Sequence, residues 1–155
     1  MREMHAPEIA ASAWLNTPEP LRLEQLKGRV VALYAFQPRC QGCLQEALPQ
    51  AKGLWRDYPR ADLEVIGLHC PFESASRLDR DALEAMLAEN GIEFPVAMDA
   101  EGTSWQPETF SRYSMQGTPT LVLIARNGKR RLQRVGYISD EDVRAAIEPL
   151  IGEQG

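Results

Sequence analysis

Apolar and polar positions separate strands from helices along most of the chain. Val30, Val31, Ala32, Leu33, Tyr34, Ala35 and Phe36 form an unbroken apolar run, the pattern of a strand covered on both faces. It ends at Gln37, Pro38 and Arg39, after which Leu44, Leu48, Ala51 and Trp55 recur at spacings of three and four, predicting a helix over residues 42–58. Residues 63–69 read as the next strand, and 79–90 as a helix ending at Gly91. A short strand at 94–98, a short helix at 105–113 and a strand at 120–124 follow. Asn127 and Gly128 then predict a hairpin turn into a strand at 131–137. Ser139 with three acids behind it starts a last helix carrying Val143, Ile147, Leu150 and Ile151. This order, β-α-β-α, helical material, then β-β-α, implies an α/β fold: a three-layer α/β/α sandwich around a central mixed sheet. Residues 6–28 are punctuated by Pro and Leu and predict an edge hairpin or extended arm, turned at Thr17, Pro18, Glu19 and Pro20, with 1–20 as the N-terminal arm or edge hairpin of the domain.

The 155 residues fit a single domain over 1–155, and 44% apolar with 25% charged residues is ordinary for a globular chain. A formal charge of −5 argues against nucleic acid as a partner, since phosphate binding is built from clustered Lys and Arg. Lys129, Arg130 and Arg131 are read as the solvated tip of the second hairpin. The longest apolar stretch falls far short of the roughly 18 residues of a membrane span, so membrane insertion is not expected. Met1 to His5 carry an acid and lack an apolar stretch like that of a secretory signal, the expectation for a cytoplasmic protein; a chain shortened at this end would fit the periplasm.

Three cysteines cannot frame a domain of this size with disulfides, and two of them stand at CxxC spacing: Cys40, Gln41, Gly42, Cys43. A thiol at a helix start meets free amides and the positive end of the macrodipole, which favours thiolate; Cys40 is thus the candidate nucleophile. One turn on, Cys43 reaches the same face and is the candidate resolving thiol. The alternatives are two inert core cysteines or half a zinc site. No second CxxC or HxxxH completes such a site, and neither metal nor organic cofactor is expected.

Together with Leu26-Lys27-Gly28-Arg29-Val30-Val31, Val65-Ile66-Gly67-Leu68-His69 and Gly117-Thr118-Pro119-Thr120, this motif resembles the thioredoxin superfamily over roughly residues 20–152. The branch it looks like is the TlpA-like group with ResA-type and DipZ-type domains, related to the AhpC/TSA redoxins. The resemblance implies a thiol:disulfide oxidoreductase acting on protein or small-molecule disulfides or dithiols, re-poised by a thiol electron donor. It implies a cis Pro119, with Gly117, Thr118 and Pro119 forming the loop that holds the substrate chain. It also implies a partly buried acid at Glu46, three residues after Cys43, relaying the proton of the second thiol.

Three departures bear on that reading. Arg39 stands where relatives carry an aromatic, putting positive charge beside Cys40 and an attraction for acidic substrates at the site. Pro49 sits one residue later than the helix-kinking proline of most relatives, an extra residue that a π-bulge could absorb, which leaves the direction of Glu46 open. His69-Cys70-Pro71 puts a third thiol at a strand end near the site; its plain reading is a small buried Cys beside a hydrogen-bonded His. Trp14, Trp55 and Trp105 are read as packing residues. Two rivals are weighed: a peroxiredoxin-like peroxidase, lacking here the hydroxyl residue between Pro38 and Cys40, and a Sco-like copper protein using Cys40, Cys43 and His69.

Overall fold

The computed structural model describes residues 4–71, 78–103 and 105–154. The strands are β1 (Met4–His5), β2 (Ala11–Leu15), β3 (Val30–Phe36), β4 (Leu63–His69), β5 (Val96–Asp99), β6 (Thr120–Ile124) and β7 (Lys129–Val135). The α-helices are α1 (Leu48–Asp57), α2 (Arg80–Glu89), α3 (Glu108–Arg112) and α4 (Asp140–Gly152). A 3-10 turn spans Leu23–Leu26 and a π-helical turn Cys43–Ala47. The strands form one mixed sheet in the order β1-β7-β6-β3-β4-β5-β2. β3, β4 and β5 run parallel, and β6 returns antiparallel beside β3.

Every residue of β3 is buried, as its unbroken apolar run requires. Alternate side chains feed two cores. Ala32, Tyr34 and Phe36 face a core closed by α1, α2 and α4, whereas Val31, Leu33 and Ala35 face one closed by Leu23, Leu26, Phe110 and Tyr113. Gly67 of β4 is fixed by this packing: a Cβ there would lie 3.1 Å from Phe94, 3.2 Å from Val96 and 3.3 Å from Phe36. Asp79 and Ser139 cap α2 and α4, accepting the amides of Ala82 and Asp142 at 2.8 and 3.0 Å.

The N-terminal segment is not an edge hairpin. β2 pairs antiparallel with β5 at one edge of the sheet, β1 pairs with β7 at the other, and Leu23 begins a 3-10 turn. Leu15 finds its apolar cover in a core strand far along the chain, and this outweighs local pairing. The helix expected from 105 starts only at Glu108, because Glu101 and Pro107 bridge and fold the chain back. Trp105 therefore lies in a loop, 74% exposed, and packs no core. β7 stops at Val135, short of residue 137, where Gly136 turns to φ +88° and its amide donates to the Pro119 carbonyl at 2.8 Å.

Buried Asp99 ties the second core to the N-terminal arm. Its carboxylate accepts the amides of Thr109 and Phe110 at 2.8 and 2.9 Å, and the Thr109 hydroxyl oxygen accepts the Ala10 amide at 2.8 Å. Replacing Asp99 with Ala strands both α3 amides in a buried setting; a loss of about 1–3 kcal/mol is expected, read as a lower urea midpoint at unchanged slope.

Candidate active site

The dithiol hangs on the end of β3. After Phe36 the chain turns through residues 37–39, and the Cys40 amide donates to the Gln37 carbonyl at 3.2 Å. Cys40 and Cys43 are both free thiols, with Cys40 half-buried and Cys43 fully buried. The Cys43 amide donates to the Cys40 sulfur at 3.2 Å, and the Cys40 thiol donates to the Thr118 carbonyl at 3.6 Å. Thr118 precedes a cis peptide bond to Pro119. The Pro119 ring lies over the start of the dithiol helix, where a Cβ on Gly42 would sit 3.5 Å from its Cδ.

The two sulfurs differ sharply in environment. Burial pushes the Cys43 thiol up to about 12, with the neighbouring Cys40 sulfur adding to the shift. Immediately after Cys43 the helix opens into the π-turn, in which the Leu48 amide donates to the Cys43 carbonyl five residues back. Pro49 then occupies the first turn of α1, where it has no N–H to donate back into the π-turn that precedes it. The extra residue before the displaced proline is absorbed as a π-turn, and Glu46 on it is solvent-exposed, not partly buried. Glu46 stands at the mouth of a narrow cleft whose walls include Tyr34, Gln50, Pro119, Tyr137 and Ile138.

Tyr34 occupies the core position beneath the dithiol helix. Its hydroxyl donates to Gln50 at 2.6 Å, and the Gln50 amide donates to the Ile138 carbonyl at 2.9 Å. Burial, followed by the charge of Asp140, raises the Tyr34 pKa well out of the range of physiological titration. Gln50 joins the dithiol helix to the loop before α4, a role that its sequence position, reading only as a polar helical residue, does not reveal.

Gly117 is half-buried, its carbonyl accepting the Thr120 hydroxyl at 2.6 Å, and Arg39 is exposed beside Cys40. Cys70 does not join them. It is fully buried in the core on the opposite face of the sheet from Cys43, its thiol donating to the Leu68 carbonyl at 3.5 Å. Burial, then the charges of Asp99 and Cys43, holds its pKa well above the ordinary thiol value. His69 lies buried, its ring edge-on to Phe36 at 5.8 Å. Among the described residues no three His, Cys, Asp or Glu side chains gather as a metal ion would need, and no helix is long and apolar enough to cross a membrane.

Residues 21–151 match the thioredoxin-like domain family. The chain belongs to that family. A crystal structure of a thioredoxin-like superfamily protein superposes with a TM-score of 0.94 at 36% identity, over 98% of this chain and 99% of that one. A thiol-disulfide isomerase from Corynebacterium glutamicum gives a TM-score of 0.89 at 34% identity, covering 96% and 98%. The thiol-disulfide oxidoreductase ResA of Geobacillus thermodenitrificans is 24% identical over 83% of this chain and 67% of its own length. A chloroplast protein of Arabidopsis thaliana, Suppressor of Quenching 1, is 27% identical over 92% of this chain, which spans only 13% of that relative. Fold and dithiol together are those of a thioredoxin-like oxidoreductase.

The burial differences order the thiols in chemical access. Iodoacetamide applied to the native, reduced thioredoxin-like protein is expected to label Cys40 first, and Cys70 only after unfolding. Mass spectrometry of digests at intervals checks this; early labelling of Cys70 would contradict its burial.

Proposed function

We propose that this protein is a thiol:disulfide oxidoreductase in which Cys40 attacks and Cys43 resolves, acting on protein or small-molecule disulfides and re-poised by a thiol donor. The observation that carries the reading is the asymmetry of the pair: a reachable Cys40 sulfur receiving an amide hydrogen bond, and a buried Cys43 held protonated. The amide donor points at the sulfur that must attack. Cys40 thiolate displaces one sulfur of the substrate disulfide as a thiolate, leaving a mixed disulfide. Cys43, once deprotonated, attacks Cys40 and expels the second substrate thiolate. Two electrons pass to the substrate, and the protein is left with a Cys40–Cys43 disulfide that an external dithiol or two thiols reduce. In the opposite direction the same steps oxidise a substrate dithiol.

Gly117, Thr118 and Pro119 serve in this reading as the substrate-holding loop, supported by the approach of the Thr118 carbonyl to the Cys40 sulfur. Arg39, exposed beside Cys40, attracts acidic substrates. Glu46, exposed on the π-turn that begins at Cys43, serves in this reading as the acid that takes the Cys43 proton.

In an insulin-reduction assay Cys40→Ser is expected to abolish turnover and Cys43→Ser to accumulate a mixed disulfide; a Cys40→Ser enzyme retaining most activity would reverse the assignment. The pH dependence follows from the raised Cys43 pKa. Below about 12 its thiolate fraction grows roughly tenfold per pH unit, so release of the mixed disulfide should accelerate with a log-rate slope of about 1 between pH 7 and 9. Glu46→Gln is expected to slow that release while leaving alkylation of Cys40 unchanged. Stopped-flow measurement of both steps separates a relay from a structural role, which would move them together.

A further inference from the structure

Two polar side chains walling the cleft beside Pro119 are spent on each other. Tyr34 carries the only hydroxyl of β3, an otherwise apolar strand, and is fully buried. It donates to Gln50 Oε1 at 2.6 Å, and Gln50 Nε2 donates to the Ile138 carbonyl at 2.9 Å. The free space in the cleft is about 10 Å3, no more than one water molecule needs, so as it stands the cleft admits no substrate group. A Phe at 34 and a Leu at 50 would fill nearly the same volume. What the polar pair adds is direction, because a hydrogen bond holds only over a narrow range of distance and angle.

That direction joins two pieces of the site. On one side Gln50 belongs to α1, which runs on from Cys43 through the π-turn. On the other, Ile138 lies just before Ser139, the cap of α4, in a loop whose Gly136 amide donates to the Pro119 carbonyl at 2.8 Å. Thr118 precedes Pro119, and its carbonyl accepts the Cys40 thiol at 3.6 Å. The hydrogen bonds thus close a ring that runs from the dithiol helix through Gln50, Ile138, Gly136, Pro119 and Thr118 back to Cys40. Apart from the thiol itself, Gln50 is the one side chain on which this ring depends, and Tyr34 holds it in place. The register of β3 against β6 brings the two active-site loops together, and Gln50 sets the remaining spacing.

Resting on the oxidoreductase reading, we infer that Gln50 is a positioning residue for disulfide exchange: oriented by Tyr34, it sets how the Thr118–Pro119 loop stands to Cys40, and so how firmly a peptide chain is gripped while its disulfide is attacked. Gln50 acts through Ile138, Gly136 and Pro119, not on the sulfurs. A small disulfide without a peptide backbone has nothing for the loop to hold, and its turnover is the internal reference.

The test compares a synthetic peptide carrying one disulfide with hydroxyethyl disulfide, both reduced by the protein with dithiothreitol as donor and the donor's own reaction subtracted. Gln50→Leu is expected to raise KM for the peptide about tenfold, the worth of one hydrogen bond, with kcat little changed, and so to lower the ratio of the two kcat/KM values by the same factor. Because the ratio is taken within one variant, a loss of folded protein cancels, and Tyr34→Phe, which removes only the hydroxyl oxygen, should lower it too. The double variant is expected to do no more than Gln50→Leu alone, since the two residues act as one unit. Amide hydrogen exchange read by NMR follows the ring itself: Gly136 should exchange about tenfold faster in Gln50→Leu while the amides of β3 keep their protection. An unchanged ratio in both single variants, a double variant whose effect is the product of the two, or a lower ratio with Gly136 exchange unchanged overturns the role given to Gln50. Failure of the wild type to reduce either disulfide would instead overturn the oxidoreductase reading, and Gly136 exchange would still report whether Gln50 holds the loop.

Discussion

The antiparallel register of β3 against β6 is the constraint on which the site depends. Ala35 pairs with Thr120 at the end of both strands, so the chain leaving β3 toward Cys40 and the chain arriving at β6 through Thr118 and Pro119 must cross the same edge of the sheet. Because both strands are buried along their whole length, a slip by one residue would send every side chain to the wrong core. The hydrophobic pattern thus fixes, through the sheet, the approach of the Thr118 carbonyl to the Cys40 sulfur. No interaction between the two loops needs to be strong, since the cores on either side of β3 hold them in place.

The dithiol helix then gives its two sulfurs different surroundings. Its first residue stays at the surface of the sheet edge, while one turn later Cys43 enters the core that Tyr34 and Phe36 also line. The π-turn follows at once and rotates the later residues, which is why Glu46 faces solvent at the cleft and not the interior. With Tyr34 beneath the helix and bonded to Gln50, the position that could have carried a buried acid is filled by a neutral hydrogen-bonded pair.

Much of this was legible in the sequence because the decisive strands are short, continuous and buried on both faces. The expected spans 30–36, 63–69 and 120–124 coincide with β3, β4 and β7's neighbour β6, since each is a short, mostly apolar stretch buried along its whole length. The displaced Pro49 announced the π-turn for a similar reason: an N–H is missing at a fixed place, and the helix must adjust around it. The partner of β2 was not legible, because Ala11 to Leu15 join β5 more than eighty residues away and nothing local encodes that pairing. Trp105 misled because an aromatic near a helical pattern reads as core, whereas the bridge between Glu101 and Pro107 delays the helix past it.

Cys70 shows how one residue of parity decides whether a thiol belongs to a site. Phe36 pairs with His69, and both lie on the face that holds Cys43. Successive side chains of an extended strand point to opposite faces, so the residue after His69 enters the second core beside Leu68 and Ala35. Adjacency of strand ends, which sequence order alone supplies, therefore brought the backbone of Cys70 to Phe36, where its amide donates to the Phe36 carbonyl at 3.0 Å, without bringing its sulfur to the dithiol. The sheet itself insulates the third thiol: exchange among all three would require Cys70 to leave a core in which burial and the charge of Asp99 both oppose its ionisation. Cys40 and Cys43 are kept apart from the third cysteine by the face on which each side chain falls.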